Sequence, residues 1–195
     1  MTKYVSPVVI ALAMLALAPA RHLPAGQDSS LLMQRPLQLP SRPSAETCTT
    51  SVGSRRTVPN QPHIFGGDLW FGTGPVYLAL AWKDSDDDDA SFGLARVPVV
   101  QDGARRAKTP WVSLPSYSGP ILIRGRALDN SGRTLRFSAT AAGPSDSVRL
   151  EAPHGRPADG LWSFWASSMW VPGPGCYGLQ IVTLVVTDFV IFRAT

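Results

Sequence analysis

From about residue 63 to its end, the chain is written in short apolar runs of period two. Clusters of glycine, proline, asparagine and aspartate separate them. That rhythm constrains the fold more than any other feature. With 18 prolines and 17 glycines in 195 residues, long helices cannot propagate. About seven to nine short strands, with turns roughly every 8–12 residues, predict an all-β sandwich or barrel. No segment beyond the N-terminus shows a helical period with caps, and no internal repeat is present.

Several strands can be placed. Val76 to Trp82 alternates Val76, Leu78, Leu80 and Trp82 against the smaller Ala79 and Ala81, with Tyr77 on the same side as the alanines. Gly72-Thr73-Gly74 supplies a tight turn from Leu69-Trp70-Phe71. Pro120 to Ala127 and Arg133 to Ala141 read as a paired hairpin around Asp129-Asn130-Ser131-Gly132, whose residues tolerate left-handed backbone. Ile121, Ile123 and Ala127 share one face with Leu135, Phe137 and Ala139, while Arg124, Arg126, Arg136 and Ser138 point away. Leu161 to Val171 places Trp162, Phe164, Ala166, Ser168 and Trp170 on one side and Leu161, Trp165 and Met169 on the other. Pro172-Gly173-Pro174-Gly175 breaks the chain. Cys176 to Val186 and Phe189 to Arg193 then read as two closing strands, apolar on both faces and therefore central.

Three regions follow: a signal peptide over 1–20, a flexible Pro/Ser-rich leader over 21–60, and a β-sandwich domain over 61–195. Lys3 precedes an apolar run, and Ala18-Pro19-Ala20 presents small residues for cleavage before Arg21. The run is shorter than the ~20 residues needed to cross a bilayer, and Pro7 interrupts it. No stable membrane span is expected after cleavage. A secreted or extracytoplasmic location implies that the two cysteines, Cys48 and Cys176, pair with each other. Charged residues make up only 16% of the chain. A surface so short of charge must be solvated by neutral polar groups and backbone, a pattern common in secreted β-proteins. Lys/Arg clusters do not exceed the pairs Arg55-Arg56 and Arg105-Arg106, which argues against nucleic acid as a partner.

Three stretches resemble a group of uncharacterised secreted bacterial proteins with an immunoglobulin-like β-sandwich. The first runs from Lys108-Thr109-Pro110-Trp111 into Gly119 through Asp129. The second runs from Phe164 to the Pro/Gly turn and Gly175-Cys176-Tyr177, where the group opens a strand with Gly-Cys-aromatic. The third is the closing strand, Phe189 to Phe192, and Cys48-Thr49-Thr50 is a weaker match near the domain start. The likeness spans about residues 48 to 195, with gaps. Tyr177 stands where the group usually has Trp, and Leu179 to Thr183 lacks its charged residue and glycine turn. The resemblance implies an immunoglobulin-like antiparallel sandwich and export. It implies no activity.

Three kinds of site are candidates. Asp84, Asp86 and Asp88, in the acidic run Asp84 to Asp89, could offer oxygens to Ca²⁺, the one cofactor the sequence suggests. The sixth and twelfth positions of that run are Asp89 and Arg96, not the Gly and Glu of a calcium loop, so a solvated loop competes with the metal site. Trp162, Phe164 and Trp170 could form a platform for a glycan or an extracellular protein, or could fill the inter-sheet core. A hydrolase would need residues gathered from loops. The histidines His22, His63 and His154 fall in no catalytic motif, and no catalytic residue can be assigned. The expectation is a non-catalytic binding or structural module. A carbohydrate-binding module and a secreted hydrolase with a loop-built site are the alternatives.

Overall fold

A computed structural model describes residues 25–40, 48–56, 69–79, 88–139, 143–151 and 162–195. The proposed signal segment, residues 1–20, lies outside them, as does the second half of the Val76–Trp82 run. The fold is mostly β, with two packed sheets. The strands are β1 (Ser54–Arg55), β2 (Leu69–Phe71), β3 (Val76–Ala79), β4 (Ser91–Phe92), β5 (Arg105–Ser113), β6 (Ile121–Ala127), β7 (Arg136–Ser138), β8 (Ser147–Leu150), β9 (Ser163–Val171), β10 (Gly175–Val182) and β11 (Thr187–Ala194). The first sheet runs β1-β2-β3-β5-β9-β7 and the second β4-β11-β10-β6-β8. Every pairing is antiparallel except β4 with β11.

The core lies between the sheets and follows the period-two rule. Val76, Leu78, Trp111, Phe137, Met169 and Val171 enter it from the first sheet, and Ile121, Ile123, Leu179, Val190 and Phe192 from the second. Trp111 is fully buried; its Nε1 donates to Ser167 Oγ at 2.9 Å, and Ser167 donates onward to Thr109 O at 3.1 Å. The indole thereby keeps a hydrogen bond inside an apolar layer.

The expected hairpin of residues 120–127 with 133–141 forms only at its turn. Asn130 and Gly132 take positive φ, 59° and 73°, as the turn residues suggested. Ala127 N–H donates to Arg133 O and Leu135 N–H to Gly125 O. Beyond that, the chain leaves β6 and crosses to the other sheet, where β7 pairs with β9. Leu135 and Phe137 point into the core as expected, Phe137 from the opposite layer. Alternation fixes which face is buried, not which strand lies alongside. Ala139, expected on the buried face, is exposed.

The stretch read as a flexible leader is structured over residues 25–40. Helix α1 (Ala25–Gln34) and the extended segment after it lie on the outer face of the second sheet. Leu32 is fully buried against Leu122 and Val182, and Leu39 packs with Leu128 and Cys176. Polar contacts fill the space between. Arg126 donates to Leu39 O at 3.1 Å, Gln180 donates to Pro36 O at 3.1 Å, and Gln38 N–H donates to Gln180 Oε1 at 3.1 Å. The leader reading fails here because composition reports local propensity, whereas two leucines, one on a short helix and one on the extended segment after it, can dock without a sustained periodicity. Docking also accounts for the apolar outer face of β10: that strand is buried on both faces because the strap covers it. β11 instead alternates buried with open positions, so only β10 meets the two-faced expectation in full.

Candidate functional site

The outer face of the first sheet is built by its two longest strands, β5 and β9. Their register sets Arg106 opposite Trp170, Lys108 opposite Ser168, Pro110 opposite Ala166, and Val112 opposite Phe164. Trp111, Met169 and Val171 occupy the intervening positions and point into the core, so this set points outward. Arg136 of β7 pairs with Trp170 from the other side.

Trp162, Phe164 and Trp170 therefore share the outward face, all half-buried, and do not fill the inter-sheet core. They do not form one cluster. Trp162 and Phe164 pack with Trp70, Tyr77 and Val112 at one end of the face. Trp70 meets Trp162 edge-on at 5.0 Å, and the Arg56 guanidinium lies 4.4 Å from the Tyr77 ring centre. Trp170 stands at the other end, six residues along the strand and about 20 Å away at the rise of an extended chain. Its ring lies 5.1 Å from the guanidinium carbon of Arg106, whose Nε donates to Ser168 Oγ at 3.2 Å. Trp165 points inward, packs on the core edge, and donates from its indole to Glu151 O at 2.8 Å.

Between the two aromatic ends lies an open groove of about 720 Å³, lined among others by Arg106, Lys108, Ser138, Phe164 and Ala166. A neighbouring hollow of about 430 Å³ shares Arg106 and adds Arg136, Asp102 and Trp170. Arg106, Lys108 and Arg136 are exposed. Among the described residues the Lys108 ammonium has no hydrogen bond or ion pair, and one of the five donors of Arg106 is committed to Ser168. The arrangement offers ring faces, hydroxyls and positive charge on a rigid floor. The rings are among the residues expected from sequence; the cations are not. The signal was there: Arg106 and Lys108 alternate with Ala107 and Thr109 in the same phase that exposes Phe164 and Trp170 on the partner strand.

The other candidates fall elsewhere. Cys48 and Cys176 are bridged, with Cα atoms 5.6 Å apart, and both are buried beside Leu39 and Leu128. Asp84 and Asp86 lie outside the described residues, as do His22, His63 and His154. Asp88 is exposed and accepts from Arg55 at 3.0 Å. Among the described residues no three His, Cys, Asp or Glu side chains gather as metal ligands, and no helix is long and apolar enough to cross a membrane.

Comparison with protein-family models, with characterised proteins and with solved structures finds no match to this chain.

Proposed function

We propose that this chain is an exported, immunoglobulin-like sandwich module that binds an extracellular ligand, without chemistry, on the outer face of β5 and β9. The order β5-β9-β7 in one sheet and β4-β11-β10-β6-β8 in the other supports the fold assignment. It parallels the B-E-D and G-F-C layers of such sandwiches, with an extra strand flanking each side of the second layer. The buried Cys48–Cys176 bridge and the apolar N-terminal run support export. The observation that carries the binding reading is the outward placement of Phe164 on an open groove and of Trp170 on the hollow that adjoins it. Half-buried rings around a concave, rigid floor are what ligand sites use.

A carbohydrate ligand is the second reading, favoured by the spacing of those rings along one sheet face. An extended peptide that adds to a sheet needs an edge strand. β5 and β9 are both interior strands, paired on each side. A sugar ring needs only an apolar face and scattered hydrogen-bond partners. A loop-built hydrolase site has no observation in its favour among the described residues.

Hydroxyl-radical footprinting of the secreted protein, with a panel of extracellular polysaccharides and surface proteins, tests the placement. Protection is expected at Phe164 and Trp170, and Trp170→Ala should abolish binding while leaving the melting temperature nearly unchanged. A ligand that instead protects Val52, Val185 or Phe189, which are exposed elsewhere, would overturn it.

A further inference from the structure

The groove on β5 and β9 carries its own charge signature. Arg106 and Lys108 line it and are exposed, and Arg136 and Arg106 line the adjoining hollow. Among the described residues no carboxylate lines the groove. Among the described residues the adjoining hollow holds one carboxylate, that of the exposed Asp102. Arg106 is held in place from two sides, by the Trp170 ring and by Ser168 Oγ. A guanidinium fixed in this way loses less freedom on binding an anion than a free one would. The cations share this face with the rings: Arg106 opposite Trp170, then Lys108 opposite Ser168, then, beyond Pro110 and Ala166, Phe164 opposite Val112.

On the reading that this face binds glycans, we propose that its ligand is an acidic polysaccharide, a chain of sugar rings bearing carboxylates. The rings of Phe164 and Trp170 supply apolar faces for pyranose C–H surfaces. Arg106 and Lys108, between and beside them, pair with the carboxylates, the arginine through two parallel N–H donors. A neutral glycan would leave this charge unmatched. An acidic polypeptide would match it but would lay its backbone N–H and C=O groups on a face whose strands are already paired, where few partners await them.

The test uses the secreted protein with polygalacturonate, neutral dextran and polyglutamate as probes, read by titration calorimetry at low and high salt. Polygalacturonate is expected to bind, to weaken about tenfold as salt rises, and to weaken about tenfold again with Arg106→Gln or Lys108→Gln. Phe164→Ala should weaken it as well. Arg149→Gln, a charge on the other sheet, should leave it unchanged. Binding to dextran with no preference for polygalacturonate would overturn the acidic assignment and leave the glycan-binding face standing. Equal or tighter binding to polyglutamate would make the occupant an acidic peptide and sink the proposal. Equal losses from Arg106→Gln and Arg149→Gln would reduce the interaction to non-specific attraction, with the same consequence. Binding to none of the probes, with footprints mapping away from Phe164 and Trp170, would remove both this proposal and the face reading beneath it.

Discussion

At the residue scale, polar side chains do as much to define this sandwich as apolar ones. The turn after β6 illustrates it. Asp129 accepts from Ser131 N–H at 3.1 Å and from Arg133 at 2.7 Å, and the same arginine reaches Pro174 O at 3.1 Å and lies 5.6 Å from the Tyr177 ring. Hydrogen bonding from the Ser131 side chain, first, and then from its backbone and Arg133 lowers the Asp129 carboxyl from 3.8 to about 2, against an opposing push from burial. A depressed carboxylate stabilises the fold wherever the unfolded chain would also be ionised, so its contribution is complete above about pH 4. It is lost as pH falls through about 2. Urea melts of the wild type and Asp129→Asn should therefore differ at neutral pH and converge between about pH 4 and 2. A gap that stays constant down to pH 2 would mean the carboxylate is not the linked group. These residues are legible as turn formers, since Asp, Asn, Ser and Gly announce a turn locally. That Arg133 ties the turn to the Pro/Gly loop is not legible, because that contact joins segments 41 residues apart.

At the element scale, strands were legible and their neighbours were not. Residues 121–127 and 163–171 announce themselves by alternation, and both are strands with the expected faces. What alternation omits is lateral partnership, which is why residues 133–138 start a hairpin and finish it in the other sheet. It also says nothing of coverage. The outer face of β10 is apolar because Leu32 and Leu39 lie across it, and both residues sit in a stretch whose Pro, Ser and Gln content reads as unstructured. Gly178 marks the fit. A Cβ there would come within 2.9 Å of Leu39 Cδ2 and 3.1 Å of Leu128 Cδ2, so the strap lies close against bare backbone. Leu32→Ala should then cost about 2–5 kcal/mol, the range for emptying a buried leucine site. An exposed Leu31→Ala on the same helix should cost under about 0.5 kcal/mol. Equal small effects from both, measured by denaturant unfolding, would show that the strap does not belong to the cooperative unit.

At the scale of the whole molecule, the two outer faces are treated differently among the described residues, and the proposed ligand face rests on that asymmetry. The second sheet spends its outer surface on the N-terminal strap and on the cystine that follows it. The first sheet leaves rings and cations open along β5 and β9. The Cys48–Cys176 bridge joins residues 128 apart and closes a loop that contains all six strands of the first sheet and β4, β6 and β8 of the second. A cross-link over so long a span restricts the unfolded chain more than the folded one and is worth about 3–5 kcal/mol on a chain-entropy account. The double variant Cys48→Ser with Cys176→Ser should lower the denaturant midpoint accordingly while leaving polygalacturonate affinity at the opposite face within about twofold. Both sulfurs are buried with Leu39, so the loss should also loosen the strap, seen as faster amide exchange at Gln38, which hydrogen-bonds Gln180. If the variant lost ligand affinity in proportion to its stability, the faces would be coupled through the core. Separate recognition and closure faces would then be the wrong description of this sandwich.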